Sequence, residues 1–151
     1  MSDDTTPKLY PAWRQAEADL IASGLGYGSI ITEDFLRSAF GLREPKTIAE
    51  YQQNSLVYLR QITALRESLL EGHKMLLVAE SGVGFRVAMP EEQTRLSMHQ
   101  RTKEVKAAIQ KMVREVTNVQ TSLLTDEQRK ENADALAKMG SLRSMVRKQL
   151  K

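Results

Sequence analysis

The sequence contains no cysteine among its 151 residues. Disulfide bonds, thiolate nucleophiles and cysteine-ligated zinc are therefore excluded together, and the composition fits a reducing compartment. Histidine is almost as scarce, because His73 and His99 are the only two. Two imidazoles leave little from which to build a metal site, so we expect neither a metal nor a cofactor.

Long apolar runs are also missing from the sequence. No stretch approaches the roughly 18 apolar residues that a membrane-spanning helix requires. The first residues, MSDDTTPK, are acidic and polar, whereas a signal peptide begins with basic residues and continues with an apolar run. These features predict a soluble, cytoplasmic protein with no membrane partner.

Motifs of the common enzyme classes are absent as well. The glycines of the stretch 24–28, GLGYG, are closely spaced, but they precede a minimal strand, whereas a dinucleotide-binding loop would follow one. The sequence has no nucleophile elbow, no cluster of metal ligands and no plausible Ser/His/Asp set. The glycines fit a turn between a helix and a strand, and we expect the protein not to be an enzyme.

The formal net charge of +3 is distributed unevenly along the chain. Residues 1–46 carry five Lys/Arg against seven Asp/Glu, residues 47–90 carry four of each, and residues 91–151 carry thirteen against eight. A basic C-terminal region can attract polyanions or acidic proteins, although a lysine-rich helix is often only a solvated surface.

Residues 74–90, KMLLVAESGVGFRVAMP, are the stretch that most clearly predicts paired strands. Two runs rich in Val, Leu and Phe flank the segment 81–84, where glycines can supply the positive φ angles of a tight turn. We predict a β-hairpin with this segment at its tip. A minimal strand at 29–31 could become the third member of the same sheet.

Three helices are predicted before the hairpin, after a disordered lead at residues 1–8. They cover Pro11–Ser23, Thr32–Gly41 and Ile48–Glu71, and Thr32 and Thr47 are candidate capping residues. The second half of the third helix is amphipathic, which predicts that its apolar side chains face the core: Leu56, Leu59, Ile62, Leu65, Leu69 and Leu70.

The order of these elements is helix, strand, helix, turn, helix, strand, wing, strand, and it resembles the winged helix-turn-helix family. The resemblance covers residues 9–90 and implies a mainly α fold in which the helix from Thr47 onward enters the DNA major groove. The hairpin loop, or wing, would touch the adjacent backbone or minor groove. Winged helices also serve as protein-interaction modules.

The resemblance implies DNA-binding residues on the third helix and the hairpin, and the dense run of cations on the following helix adds candidate phosphate contacts. Amides can pair with adenine edges, while hydroxyls and cations can reach phosphates. The alternatives are a solvated helix face for the amides, half-buried packing for the tyrosines and ordinary solubility for the cations. The candidates are Lys46, Thr47, Tyr51, Gln52, Gln53, Asn54, Tyr58, Lys74, Ser81, Gly82, Arg86, Arg95, Arg101, Lys103 and Lys106.

Residues 91–151 are predicted to form a helical extension that dimerises the protein. A long helix should run from Pro90 to about Ser122, with a narrow apolar seam of the kind found in coiled coils. A second helix should start at the capping box 125–128 and be interrupted at Gly140–Ser141. The seam could pack within one chain or between two, and its residues are Val105, Ile109, Met112, Val116, Val119 and Leu123.

Together these patterns favour a sequence-specific double-stranded DNA-binding protein, a homodimeric transcriptional regulator. The competing hypothesis is a small helical adaptor or inhibitor that uses the winged-helix scaffold to bind another protein. A weakly charged third helix and wing would suit that partner.

Overall fold

The computed structural model describes residues 7–149. Their elements are α1 (Ala12–Ala22), β1 (Ile30–Thr32), α2 (Glu33–Ala39), α3 (Ile48–His73), β2 (Leu77–Glu80), β3 (Gly84–Val87), α4 (Pro90–Thr117), a 3-10 turn (Thr121–Leu123) and α5 (Asp126–Gln149). The first six residues of the predicted disordered lead lie outside the described part. The predicted mainly helical fold with a small sheet is confirmed.

The chain divides into two compact units between Gln93 and Thr94. We call them the N-terminal unit and the C-terminal unit. The N-terminal unit holds α1 to β3 and the first turn of α4, and the C-terminal unit holds the rest of α4, the 3-10 turn and α5.

The sheet of the N-terminal unit is antiparallel, with strand order β1-β3-β2. Phe85 of the central strand defines the register, because it pairs with Ile31 of β1 on one side and with Ala79 of β2 on the other. The hairpin turn is closed by a backbone hydrogen bond from Val83 to Glu80 of 3.1 Å. The predicted hairpin and its third strand are therefore both present.

The hydrophobic core lies between the first three helices and one face of this sheet. Each element contributes the apolar residues of one face, as burial of an amphipathic stripe requires. The buried members are Ala16 and Leu20 of α1, Ile31 of β1, Leu36 of α2 with Phe40 directly after it, then Ile62, Leu65 and Leu69 of α3, Leu77 of β2 and Val87 of β3.

The prediction that every leucine in the second half of α3 faces the core is wrong for three of them. Leu56 is 59% exposed, Leu59 is 62% exposed and Leu70 is 38% exposed. At 3.6 residues per turn these side chains project roughly 90° to 150° around the helix from the buried face that contains Leu65 and Leu69. The apolar pattern of α3 is thus wider than the core that covers it.

The predicted end of α4 at Ser122 is also wrong, because the helix ends at Thr117. The side-chain amide of Asn118 donates to the Arg114 carbonyl at 2.7 Å, and such a local bond competes with continued helical pairing. Arg129 Nε then donates to the Thr121 carbonyl at 3.1 Å and holds the 3-10 turn. As a consequence Val119 and Leu123 lie beyond the helix whose seam they were predicted to extend.

The predicted interruption at Gly140–Ser141 is absent, since α5 runs through to Gln149. A glycine in a helix interior costs only about 1 kcal/mol relative to alanine and does not by itself end the helix. The Ser141 hydroxyl donates to the Ala137 carbonyl at 3.3 Å, within the same turn of helix.

Candidate nucleic-acid interface

The N-terminus of α3 is fixed by two reciprocal hydrogen bonds. Thr47 Oγ1 accepts the backbone N–H of Glu50 at 3.1 Å, and the Glu50 carboxylate accepts the backbone N–H of Lys46 at 2.7 Å. Both bonds satisfy N–H groups that a helix start or its approach leaves without helical partners. The first turn of α3 is therefore capped, and Lys46, Thr47 and Glu50 are all exposed.

Three candidate residues in the leading turns of α3 point into solvent. Tyr51 is 60% exposed, and Gln52 and Gln53 are exposed as well. Neither glutamine side chain makes a hydrogen bond to any of residues 7–149, so their amide donors and acceptors are available to a ligand. Amides with these properties can pair with base edges.

The other two candidates on α3 have structural partners. Asn54 is half-buried, and its amide donates to the Arg43 carbonyl at 2.7 Å, which ties α3 to the preceding connection. Tyr58 packs edge-on against Phe40 with ring centroids 5.8 Å apart, and the Arg37 guanidinium lies 5.6 Å from its ring. Burial raises the pKa of Tyr58, and the Glu33 carboxylate adds to the rise.

The tip of the β2–β3 hairpin, which was predicted to be a wing, is exposed and uncharged. Ser81 and Gly82 both face solvent, and the Val83 carbonyl accepts the backbone N–H of Glu33 at 3.0 Å. This bond holds the tip against the start of α2. The wing can therefore offer backbone groups and one hydroxyl, but no cation.

The two cations predicted beside the wing are already engaged. Lys74 ends α3 in the left-handed conformation (φ 59°), and its ammonium donates to the Glu71 carbonyl at 3.0 Å. Arg86 donates to the Glu80 carboxylate at 2.9 Å and also to Glu92. These hydrogen bonds hold the pKa of Arg86 above its ordinary value, and the bond to Glu92 contributes more than the bond to Glu80.

The charge of the two units has opposite sign. Residues 1–93 carry nine Lys/Arg against thirteen Asp/Glu, whereas residues 94–151 carry thirteen against six. The unit that presents the α3 amides is therefore net acidic, and the excess of cations lies in the C-terminal unit.

Most of the predicted α4 cations are free of ion pairs within the described chain. Arg95, Lys103 and Lys106 have no carboxylate partner among residues 7–149, and only Lys106 is half-buried. Arg101 differs, because it pairs with Glu104 at 2.7 Å. Two hydrogen bonds lower the pKa of Glu104, and the bond that Gln100 donates contributes more than the bond that Arg101 donates.

The predicted seam of α4 divides into covered and uncovered residues. Ile109 is 4% exposed and Val116 is half-buried, whereas Val105 is 48% exposed and Met112 is 39% exposed. Val119 and Leu123, beyond the helix, are 38% and 81% exposed. The seam is therefore only partly used within one copy of the chain.

Comparisons of the chain with protein-family models, curated proteins and solved structures found no significant match. Within residues 7–149 there is no group of three His, Asp or Glu side chains arranged to hold a metal ion. The same residues contain no helix with the length and apolar character needed to cross a membrane.

Two features of the surface were missed at the level of sequence. Ile48 is 78% exposed and lies on the same side of α3 as the exposed side chains of Leu56 and Leu59. Met98 is 53% exposed on α4, and its position seven residues before Val105 is a signal that a longer heptad count would have found.

Proposed function

We propose that the protein binds double-stranded DNA, with the leading turns of α3 in the major groove and the hairpin as a wing. The observation that supports this most directly is the capped, exposed start of α3, which presents Gln52 and Gln53 with unused amide groups. A helix entering the groove N-terminus first places such residues against base edges.

The affinity for the phosphate backbone comes from the C-terminal unit in this proposal. Arg86 is held by two carboxylates of the protein, and the N-terminal unit as a whole is net acidic. Arg95, Lys103 and Lys106 have no carboxylate partner in the described chain and are the residues that would release counterions on binding. The α3 side chains then supply preference among sequences rather than most of the binding energy.

In this proposal the protein acts as a dimeric transcriptional regulator. Two copies related by a two-fold axis would place two α3 helices about one helical turn of DNA apart. The preferred site would then contain two similar half-sites.

The test measures DNA affinity as a function of salt by fluorescence anisotropy. The double variant Lys103→Gln/Lys106→Gln should reduce the slope of log K against log salt by up to about 0.9 for each phosphate that the protein no longer neutralises. The control Lys8→Gln/Lys130→Gln removes the same charge from exposed positions outside the candidate set and should leave the slope close to that of the natural protein. Equal slopes for the two variants would reject the assignment of the α4 lysines.

The α3 amides are tested on selected rather than random DNA. DNA sites are first enriched from a random library with the natural protein. The variant Gln52→Ala/Gln53→Ala should bind these sites no more tightly than random duplex, because each good hydrogen-bonded contact between an amide and a base edge discriminates by about 1–3 kcal/mol. Affinity for random duplex should stay nearly unchanged in that variant.

A second candidate function is binding of another protein through the exposed side of α3. Ile48, Leu56 and Leu59 are each at least 59% exposed, and apolar side chains clustered on one surface are typical of protein interfaces. A lack of any mobility shift with random duplex at micromolar protein and low salt would favour this function over DNA binding, because nonspecific affinity is already measurable there.

A further inference from the structure

The C-terminal unit has very little core of its own. Among its described residues, 94–149, only Ile109 is buried. Units of this size need a substantial buried core, or a partner that supplies one, to be stable. The apolar surface of α4 and α5 is therefore large relative to what a single copy covers.

The uncovered apolar residues of α4 form a single line. Met98, Val105 and Met112 are 53%, 48% and 39% exposed, and they are spaced seven residues apart. Seven residues are nearly two helical turns, so the three side chains project from one side of the helix. We call them the heptad stripe. Ile109 and Val116 follow the neighbouring line, and they are buried and half-buried, respectively.

The edge of the heptad stripe that faces away from Ile109 carries charges in an alternating order. Along the helix the edge presents Arg101, Glu104, Ala108, Lys111 and Glu115. Ala108 is exposed and small, and it lies seven residues from Arg101 and seven from Glu115. If the direction of the helix is reversed about Ala108, the position of Arg101 coincides with that of Glu115. An antiparallel second helix therefore places an anion where the first helix has a cation.

This symmetry determines which helix orientation a second copy prefers. With two antiparallel α4 helices that cross at Ala108, Arg101 meets Glu115 of the second copy, and Glu104 meets Lys111. In a parallel pair the same edge would face the opposite flank of the second helix, which brings Arg101 close to Lys106. On this edge the antiparallel pair therefore matches opposite charges, whereas the parallel pair places Arg101 near a second cation.

We propose that α4 pairs in antiparallel orientation with α4 of a second copy of this chain and crosses it at Ala108. The heptad stripes of the two copies pack against each other, with Val105 of one copy next to Met112 of the other. This proposal rests on the dimer in the proposed function and defines its interface and direction. Its tests contain no DNA, so they succeed or fail independently of DNA binding.

Cysteine cross-linking tests the direction, since the natural chain has no cysteine to interfere. In the antiparallel pair the two copies of Ala108→Cys approach each other at the crossing point and should form a disulfide-linked dimer in most of the protein. Position 98 lies ten residues away, so two copies of Met98→Cys would be about 30 Å apart. This is far beyond the roughly 4.4–6.8 Å between Cα atoms that a disulfide allows.

Cross-linking of Met98→Cys as efficient as that of Ala108→Cys would overturn the antiparallel pairing. Absence of cross-linking at both positions would overturn the pairing altogether. Both substitutions fall at exposed positions, and circular dichroism of the reduced proteins checks that the helices remain.

Charge reversal tests the contacts. Arg101→Glu alone and Glu115→Arg alone place like charges together at two symmetric points and should each weaken dimerisation roughly tenfold. A mixture of the two variants should form a heterodimer about as tightly as the natural homodimer, because opposite charges again meet at both points. Sedimentation equilibrium measures all three constants.

A mixture that associates no better than either single variant would overturn the assigned contacts. A natural protein that stays monomeric at high micromolar concentration would overturn the interface itself. Lys130→Glu is the matched control, since it reverses one charge on α5, and it should leave the dimerisation constant within about twofold of the natural protein.

Discussion

Gly84 lies against the backbone of Ile31 so closely that a β-carbon at position 84 would be 2.2 Å from the Ile31 carbonyl oxygen. Gly84 also adopts a φ of +143°, a value that residues with a side chain rarely adopt. The contact joins the first residue of β3 to β1, immediately before α2 begins at Glu33. The position of the hairpin relative to α2 therefore depends on the absence of one side chain.

Gly84→Ala should destabilise the N-terminal unit by more than about 2 kcal/mol, because both the backbone conformation and the close contact forbid a β-carbon. Gly26→Ala is the matched control, since its nearest neighbouring atom would be 3.9 Å away. That change should alter stability by less than about 1 kcal/mol. Urea unfolding followed by Trp13 fluorescence measures both, and equal effects would show that the close approach to Ile31 is not a constraint.

Two leucines of α3 should respond very differently to the same substitution. Leu65 is fully buried, whereas Leu59 is 62% exposed. Leu65→Ala should cost about 2–5 kcal/mol because it removes packed atoms and leaves a cavity. Leu59→Ala should change stability by less than about 0.5 kcal/mol. Similar losses in the two variants would mean that Leu59 is covered in the protein in solution.

The sequence predicted most of the local structure because the determining interactions are local. Thr32 and Thr47 were identifiable as helix caps, and both accept the expected backbone N–H. The hairpin turn was identifiable from its glycines. These signals act within about four residues, so no knowledge of the packed molecule is needed to use them.

The errors arose where the outcome depends on distant partners. Leu56 and Leu59 belong to an apolar pattern, but the core of the N-terminal unit does not reach their side of α3. Arg86 looked available for phosphate, yet it is held by Glu80 and Glu92, the latter from the following helix. Neither burial nor the choice of an ion-pair partner can be read from a single stretch of sequence.

Arg86→Gln should lower the melting temperature of the protein without reducing its affinity for DNA. The substitution removes a guanidinium that bridges two carboxylates, and it leaves Glu80 and Glu92 without their shared cation. Because that cation is occupied in the folded protein, its loss should not change the salt dependence of DNA binding. The control Lys8→Gln also removes one positive charge but should leave the melting temperature unchanged. A flatter salt dependence in Arg86→Gln alone would show that Arg86 exchanges Glu80 for phosphate.

Stability should fall in alkaline solution in part through Tyr58. Burial raises the pKa of its phenol in the folded state, so the unfolded chain loses this proton first as pH rises past the ordinary value of about 10. Folding is then disfavoured from that pH upward, and below it the phenol is neutral in both states and has no effect. Tyr58→Phe keeps the ring against Phe40 and should reduce the loss of stability between about pH 9.5 and 11. Unfolding free energies measured across this range for the two proteins test the point, and parallel curves would contradict it.

Replacement of a glycine by alanine should stabilise the protein at position 140 and destabilise it at position 82. Both positions have open space for a β-carbon, so steric contact does not distinguish them. Gly140 lies within α5, where alanine is favoured over glycine by about 0.8–1.0 kcal/mol, whereas Gly82 has a φ of +74° that alanine adopts only with strain. Thermal unfolding followed by circular dichroism measures both effects. The helical signal should persist to higher temperature in Gly140→Ala and should be lost at lower temperature in Gly82→Ala than in the natural protein. A destabilised Gly140→Ala would mean that α5 bends at this glycine in solution, as an interruption of the helix there would require.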